Sequence, residues 1–429
     1  MSAQFGRRTT LGLIGAAAVL RHARGADFNW KQHSGSTLHF MVSVHPWTQW
    51  AQQQLPQLEA DTGIKVNWEI LYEDQLRQKL PLSLRSDPGS VDGFFTLPSW
   101  DATAFARAHW YVPLDKLIHS DATAPDWDFA DFFPNIAKIH VVGGEQIGVP
   151  ITIELQALFC NKEMLAAKQL SSPATLDSLM DTATKLKSGD VSGVVTRGDG
   201  VQAVYTFAPF LFAFGGRWQD EKGNPELGSA AMVNALKYYG DLLRAAGPPN
   251  ILGMQWKSTY PLFQQARAAM FIDATNFLAY FKDPLQSRVV DQIAVAPLPA
   301  GPSGAHSTVI SWGPAIAASS KQQAATWTAI QWLTSKKAMI ASTQTTHLPP
   351  SRQSIYNSDV YTQSVPADMI AATKQEIPNA VPNGANPLVV PVPEVRAAIG
   401  QAIVAALQGG NARQAADAMQ KQVTQILNG

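Results

Sequence analysis

A single cysteine, Cys160, stands in 429 residues, so no internal disulfide can form. No Cys/His cluster has zinc-ligand spacing either, and neither a metal nor a cofactor is expected. Stability must therefore come from packing. Charge is equally scarce: Asp, Glu, Lys and Arg make up 15% of the chain, well below the usual share of about 25%. The 33 basic residues balance 33 acidic ones. Without a net pull towards phosphate or anionic lipid, a nucleic-acid or membrane-surface role would need a concentrated basic patch, and no Lys/Arg run supplies one. No apolar run is long enough to span a bilayer; the best internal one, Ala203–Gly216, is broken by Pro209. G-x-G-x-x-G after the first strand and G-x-x-x-x-G-K-[ST] anywhere are missing, which excludes the usual nucleotide cradles. So are H-E-x-x-H and G-x-S-x-G, and Cys160 lies in a strand-like run unsuited to a thiol nucleophile.

What remains is apolar and aromatic. Residues of apolar type make up 46% of the chain and include 12 Trp, which excludes intrinsic disorder. At roughly 100–200 residues per domain the length implies about two or three compact units. The N-terminus reads as an address: Arg7-Arg8, a ten-residue apolar stretch from Leu11 to Leu20, then Arg21 and Arg24. Paired arginines before a short, weakly hydrophobic core followed by basic residues are the pattern of a twin-arginine export signal. Cleavage is expected near Ala23–Ala26, with no cysteine there to accept a lipid, which implies a soluble periplasmic protein. Residues 1–25 hold four arginines and no acid, so their removal leaves 29 basic against 33 acidic residues. The mature chain is mildly acidic, a further argument against nucleic acid.

Along the mature chain strand and helix signals alternate. Thr37–Val44 reads as a strand, followed by an amphipathic helix that Gly63 ends; Ile64–Leu71 alternates like a second strand. A helix near 72–86 leads to the strand Val91–Thr96 and to a helix from about Ser99. This β-α-β-α-β order implies a parallel sheet flanked by helices, with ligands beyond the carboxyl ends of the strands, where His45, Trp47, Ser99, Trp100 and Asp101 would lie. Further on come the extended run 146–161, a Pro-interrupted aromatic helical region at 201–219, a helix at 229–246, strands at 268–273, 293–298 and 308–311, a helix at 321–335 and two C-terminal helices broken at Gly409-Gly410.

Four blocks carry a resemblance: Gly144–Lys162 (GEQIGVPITIELQALFCNK), Ala268–Asn276 (AAMFIDATN), Val295–Ala317 (VAPLPAGPSGAHSTVISWGPAIA) and Ala324–Ser335 (AATWTAIQWLTS). In order and spacing the chain resembles the family 1 extracellular solute-binding proteins of ABC importers, the group that includes maltose-binding protein. The resemblance implies a two-lobed α/β fold, each lobe a mainly parallel sheet flanked by helices, with ligand held in the cleft between them. One lobe would comprise residues 27–151 plus 309–345, the other 152–308 plus 346–429, with crossings at Pro150–Thr152 and Thr308–Ser311. It implies a non-catalytic, monomeric receptor that delivers a neutral carbohydrate or polyol to the transmembrane permease subunits. The same fold could carry a polyamine, chelate or phosphate ester, and a glycan-active enzyme with paired carboxylates is the catalytic alternative; neither clustered acids nor an arginine–anion nest is evident in the sequence.

A sugar needs planar donors and acceptors for its hydroxyls and aromatic faces for its C–H surfaces, in a cleft of little net charge. Most of the tryptophans should be core and a minority cleft. Glu154, just after the first crossing, matches a carboxylate that holds sugar hydroxyls in the maltose-binding group, and Thr152 and Gln156 share its strand face. Trp312, within Ser311-Trp312-Gly313, matches a cleft-lining segment, Gly313 permitting close approach. Asn276 stands where relatives often carry a stacking Trp and could instead cap a helix; Asp273 before it is a polar alternative. Trp218 either reaches the cleft or belongs to a glycine-closed helix end. Arg352, in a Pro-x-Arg segment, is expected to brace the second lobe more than to touch ligand.

Overall fold

The computed structural model describes residues 28–429, and the twin-arginine segment expected at residues 1–25 lies outside them. The first sheet is built from β1 (Thr37–Ser43), β2 (Lys65–Leu71) and β3 (Gly93–Thr96), connected through helices α1 (Pro46–Thr62) and α2 (Glu73–Ser86) and followed by α3 (Pro98–Arg107). β1 lies between β2 and β3 and runs parallel to both, the geometry that two βαβ crossovers enforce. Gly63 ends α1 in the left-handed region at φ 70°, where a side chain would clash and glycine does not.

The second sheet centres on β4 (Glu154–Asn161), buried along its whole length. Helices α4 (Gly200–Ala213), α5 (Ala230–Ala246) and α6 (Trp256–Gln264) precede β5 (Met270–Ala274), and β6 (Ile293–Ala296) and β7 (Thr308–Ile310) follow. β4 is antiparallel to β5, β6 and β7. The two-lobed α/β class therefore holds, but only the first lobe has the mainly parallel pairing expected of both. β4, which enters the second lobe directly from the crossing, is the strand that runs opposite to the other three. β8 (Gly313–Ile316) returns to the first sheet antiparallel to β3.

Pro209 does not interrupt α4, which runs on past it and is buried from Ala203 onward. A proline inside a helix leaves the carbonyl four residues earlier without its donor. Here that carbonyl is Tyr205 O, and it accepts from Gln156 Nε2 of β4 at 2.9 Å. The C-terminal helices α7 (Val392–Leu407) and α8 (Ala412–Asn428) complete the second lobe. α7 crosses α4 at Gly200 and Gly400, so closely that a Cβ on Gly400 would come within 2.5 Å of Gly200 backbone.

Between the lobes three segments lie side by side. Val149 N–H donates to Pro314 O at 3.1 Å and Ile151 N–H to Trp312 O at 3.2 Å. Ile153 N–H donates to Pro349 O at 3.0 Å, and Ser351 Oγ to Pro150 O at 2.8 Å. The segment at 349–351 was not among the crossings expected from sequence, Pro150–Thr152 and Thr308–Ser311. His140 is fully buried against them, wedged so that a Cβ on Gly148 or Gly313 would come within 2.9 Å of its ring.

One carboxyl in the second lobe titrates in the neutral range. Glu376 Oε1 accepts from Leu298 N–H at 2.6 Å, in the loop leading to β7. Burial raises its pKa from 4.5 to about 7, against smaller opposing effects of the Leu298 N–H and of His306. The folded state then holds a proton that the unfolded chain has released, so this contribution to stability is full below about pH 4.5 and fades as pH rises through about 7. Glu376→Gln, which keeps an acceptor for Leu298 N–H, is expected to flatten the fall of melting temperature over that window. An identical slope in variant and wild type would show that the carboxyl titrates normally.

Candidate ligand-binding site

The carboxyl ends of β1, β2 and β3 open onto a cleft whose opposite wall comes from the second lobe. It encloses about 670 Å³ of atom-free space, part of it open to solvent. His45, Glu73, Arg77, Ser99 and Trp100 line it from the first lobe. Arg197, Tyr205, Trp256, Asn276, Tyr280 and Arg396 line it from the second, and Glu154 and Trp312 sit at the crossings. The walls touch: Asn386 Nδ2 donates to Ser99 O at 2.8 Å, and Lys257 Nζ lies 3.6 Å from Asp74 Oδ2.

The cleft holds more charge than a neutral ligand suggests, but most of it is internally neutralised. Arg77 pairs with Glu73 through Nη2 and Nε, and reaches Asp101 Oδ1 from Nη1 at 3.2 Å. Burial alone would raise the pKa of Glu73, yet Arg77 and then Arg197 hold it below the ordinary value. Arg197 makes a two-pronged pair with Asp273, Nε to Oδ2 and Nη2 to Oδ1, each 2.7 Å. Burial pulls the Arg197 pKa down, but Asp273 outweighs it and leaves it raised. Arg396 has no such partner among the described residues; it donates to Asn386 Oδ1 at 2.8 Å and Val201 O at 2.6 Å. Burial first, then repulsion from Arg77, lowers its pKa to about 9.

Several polar atoms here are buried with no partner among the described residues: Ser99 Oγ, Glu154 Oε2, Asn276 Oδ1 and Arg396 Nε. An unpaired buried polar group costs about 1–3 kcal/mol, so such a concentration on one cleft is a signature of groups kept for something that enters it. They comprise two fixed acceptors, one fixed donor and a hydroxyl able to do either. Asn276 caps nothing: it lies inside the short turn Thr275–Phe277, whose N-cap position is Ala274, and the helical turn that follows has Phe277 there.

The structure brings together six of the residues singled out from sequence: His45, Ser99, Trp100, Glu154, Asn276 and Trp312 line the cleft. The others it places elsewhere, each for a visible reason. Trp47 is buried behind the cleft, stacked on Phe95 at 5.9 Å, with Trp312 stacked on the same ring at 5.0 Å. Asp101 and Asp273 stand one layer back as the counter-ions of Arg77 and Arg197. Gln156 is fully engaged, its Oε1 accepting from Thr308 N–H at 2.7 Å while its Nε2 serves Tyr205 O. Thr152 Oγ1 donates to Glu154 Oε1 at 3.0 Å, and Ser311 Oγ to Thr152 O at 2.8 Å. Gly313 serves the crossing and not a ligand, for a Cβ there would lie 2.1 Å from Val149 O. Trp218 is core, its Nε1 donating to Gly384 O. Arg352 is buried and braces the first-lobe side: its guanidinium donates to Trp127 O, Asp128 O and Thr334 O.

Sequence reasoning missed Glu73, Arg77, Arg197, Tyr205, Trp256, Tyr280 and Arg396. The strand-end rule that selected His45 applies equally to the i,i+4 pair Glu73 and Arg77 just after β2. Arg396 also carried a signal, as the one basic residue of a mostly apolar helix, VPEVRAAIGQAIVAAL.

The sequence profile of the bacterial extracellular solute-binding proteins matches residues 45–340. The chain is 26% identical over 351 residues to the mannitol-binding protein of Pseudomonas aeruginosa, covering 79% of this chain and 77% of that one. It is 25% identical over 398 residues to the erythritol/L-threitol-binding protein of Mycolicibacterium smegmatis, 83% of each being covered. An ABC transporter solute-binding protein from Agrobacterium radiobacter K84, solved in complex with ribitol, shares the fold with a TM-score of 0.84 at 24% identity, over 92% of this chain and 99% of that one. The profile match takes in well over half of the residues and both walls of the cleft, and the chain belongs to the bacterial extracellular solute-binding protein family.

Proposed function

We propose that this protein is the capture component of an ABC importer and that its cargo is a neutral polyhydroxylated compound, an acyclic polyol before a ring sugar. The observation that carries this reading is the set of unpartnered cleft atoms on Ser99, Glu154, Asn276 and Arg396, which suits a chain of hydroxyls, each able to donate and accept. Aromatic faces for stacking a sugar ring are largely taken: the Arg77 and Arg396 guanidiniums lie over Trp100 at 3.7 and 4.5 Å, and Trp312 is stacked on Phe95. The mutual neutralisation of Arg77 and Arg197 by Glu73, Asp101 and Asp273 argues against an ionic cargo. The relatives named for mannitol and erythritol point the same way.

In this reading the receptor does no chemistry. Ligand contacts made from both walls favour the closed arrangement over the open one, and the three crossing segments absorb the motion. Among the described residues no helix is long and apolar enough to cross a membrane. We take the chain to reach the periplasm by the twin-arginine route and to act as a monomer on its permease.

Thermal melts and calorimetric titrations with D-mannitol, ribitol, erythritol, maltose and maltotriose test this. A polyol at a hundredfold excess over its Kd should add about 2.7 kcal/mol of stability, and the maltodextrins should add little. Silence across the panel, or steady consumption of a glycan, would overturn the receptor reading; a preference for maltotriose would overturn only its polyol part.

A further inference from the structure

His45 lines the cleft, yet its ring has no free hydrogen-bonding atom to offer. It is the N-cap of α1: Nδ1 accepts from the Trp47 backbone N–H at 3.0 Å. An imidazole nitrogen that accepts carries no proton, so this bond fixes the tautomer and leaves the hydrogen on Nε2. Nε2 lies 3.0 Å from Glu154 Oε1 and therefore donates to it. Thr152 Oγ1 donates to the same oxygen at 3.0 Å. Both donors converge on Oε1, and Oε2 is left buried and unpartnered on the cleft wall.

The carboxylate is thus aimed rather than merely present. His45 is 2% exposed and Glu154 1%, and the Phe95 ring lies 5.8 Å from the imidazole, so the pair is enclosed by protein. The contact also joins the entry of α1 in the first lobe to the first residue of β4 in the second. A carboxylate held by two donors on one oxygen presents the other in a fixed direction, and that pre-organisation is what raises the affinity of a polar site.

We propose that His45 is a positioning residue: through its fixed Nε2–H tautomer it orients Glu154 so that Oε2 accepts from a ligand hydroxyl, and it does not itself touch the ligand. This rests on the reading of the cleft as a polyol site, with Glu154 as one of its contacts.

Substitution can separate capping from aiming. Asparagine is a good N-cap but too short to reach Glu154, so His45→Asn keeps the start of α1 while releasing the carboxylate. With D-mannitol as probe, His45→Asn should keep a wild-type melting temperature to within a few degrees and weaken binding about tenfold, a typical loss for one buried hydrogen bond. Glu154→Gln should weaken binding at least as much. In the Glu154→Gln background His45→Asn should then have little further effect, because the group it aims is already altered. Unchanged affinity in His45→Asn, or losses that simply multiply in the double variant, would overturn the positioning role. So would unchanged affinity in Glu154→Gln, which removes Glu154 from the contacts.

A second arm needs no ligand. Nitrogen-15 shifts of the His45 ring should show a protonated Nε2 and an unprotonated Nδ1, with the Nε2–H signal displaced in Glu154→Gln. The opposite tautomer would overturn the proposal. Failure of mannitol, ribitol and erythritol alike to bind the wild type would instead overturn the polyol reading, and the ring shifts would still decide whether His45 aims Glu154.

Discussion

Replacing Asp273 by alanine should cost about 3–5 kcal/mol of folding stability, the usual penalty for stripping one partner from a buried ion pair. Asp273 has no solvent exposure, and both its oxygens are taken by the Arg197 guanidinium at 2.7 Å. Oδ1 also accepts from Ala274 N–H at 2.8 Å. Without the carboxylate a desolvated cation stays behind with, among the described residues, Gln202 Oε1 as its remaining side-chain acceptor, at 3.1 Å. The cost is therefore mostly that of the orphaned charge rather than of the lost bond. Arg197→Met combined with Asp273→Leu should recover most of the loss, since replacing a buried pair by apolar groups of similar volume is often neutral. Urea midpoints of the single and double variants measure this. A double variant as unstable as Asp273→Ala would mean that the aspartate matters for the backbone of β5 and not for its counter-ion.

The same pair shows why the site was only half legible in the sequence. The fold was written in local signals: the β-branched runs of β1 and β2, the glycine that ends α1, and the two glycines that separate α7 from α8. Each acts over a few residues, so a single sequence suffices to see it. The site depends on which distant residues meet. Asp273 is correctly placed at the end of β5, but nothing local says that Arg197, seventy-six residues earlier, will occupy both of its oxygens. Gln156 fails for a similar reason. Its strand face was right, but its amide is consumed by a carbonyl that Pro209 left without a donor, a pairing visible only once α4 lies across β4.

Tryptophan illustrates the limit most plainly. Composition said that there were many, and chemistry said that a sugar site would want some. Trp47 and Trp312 clasp Phe95 from β3 as a three-ring stack, a packing unit of which Trp312 alone reaches the cleft. Trp256, which does line it, sits on a helix absent from the sequence reading. Low overall charge was also a poor guide to the cleft. Glu73, Arg77, Glu154, Arg197 and Arg396 line it with Asp101 and Asp273 directly behind, and salt bridges between them cancel most of their field.

Arg396 is where that cancellation stops. Its guanidinium is buried and, among the described residues, has no carboxylate within salt-bridge distance and no partner for Nε. Desolvation and the nearby Arg77 both disfavour its charge, so in the unliganded protein this side chain contributes less than its two hydrogen bonds suggest. Arg396→Met should therefore change stability by no more than about 1 kcal/mol, the relief of a desolvated cation offsetting the acceptors left open on Asn386 and Val201. Its effect on binding should be much larger. A charge-assisted hydrogen bond is worth about 1.5–3 kcal/mol, so affinity for D-mannitol should fall roughly 10- to 150-fold. Arg396→Lys should recover little of it, because an ammonium restores the charge but neither Nε nor the planar fork. Melting curves and calorimetry on the same preparations separate the two effects. A collapse in stability with unchanged affinity would make Arg396 a clamp holding Asn386 and the start of α4, whereas loss of affinity on an intact fold makes it the donor that a hydroxyl of the cargo meets.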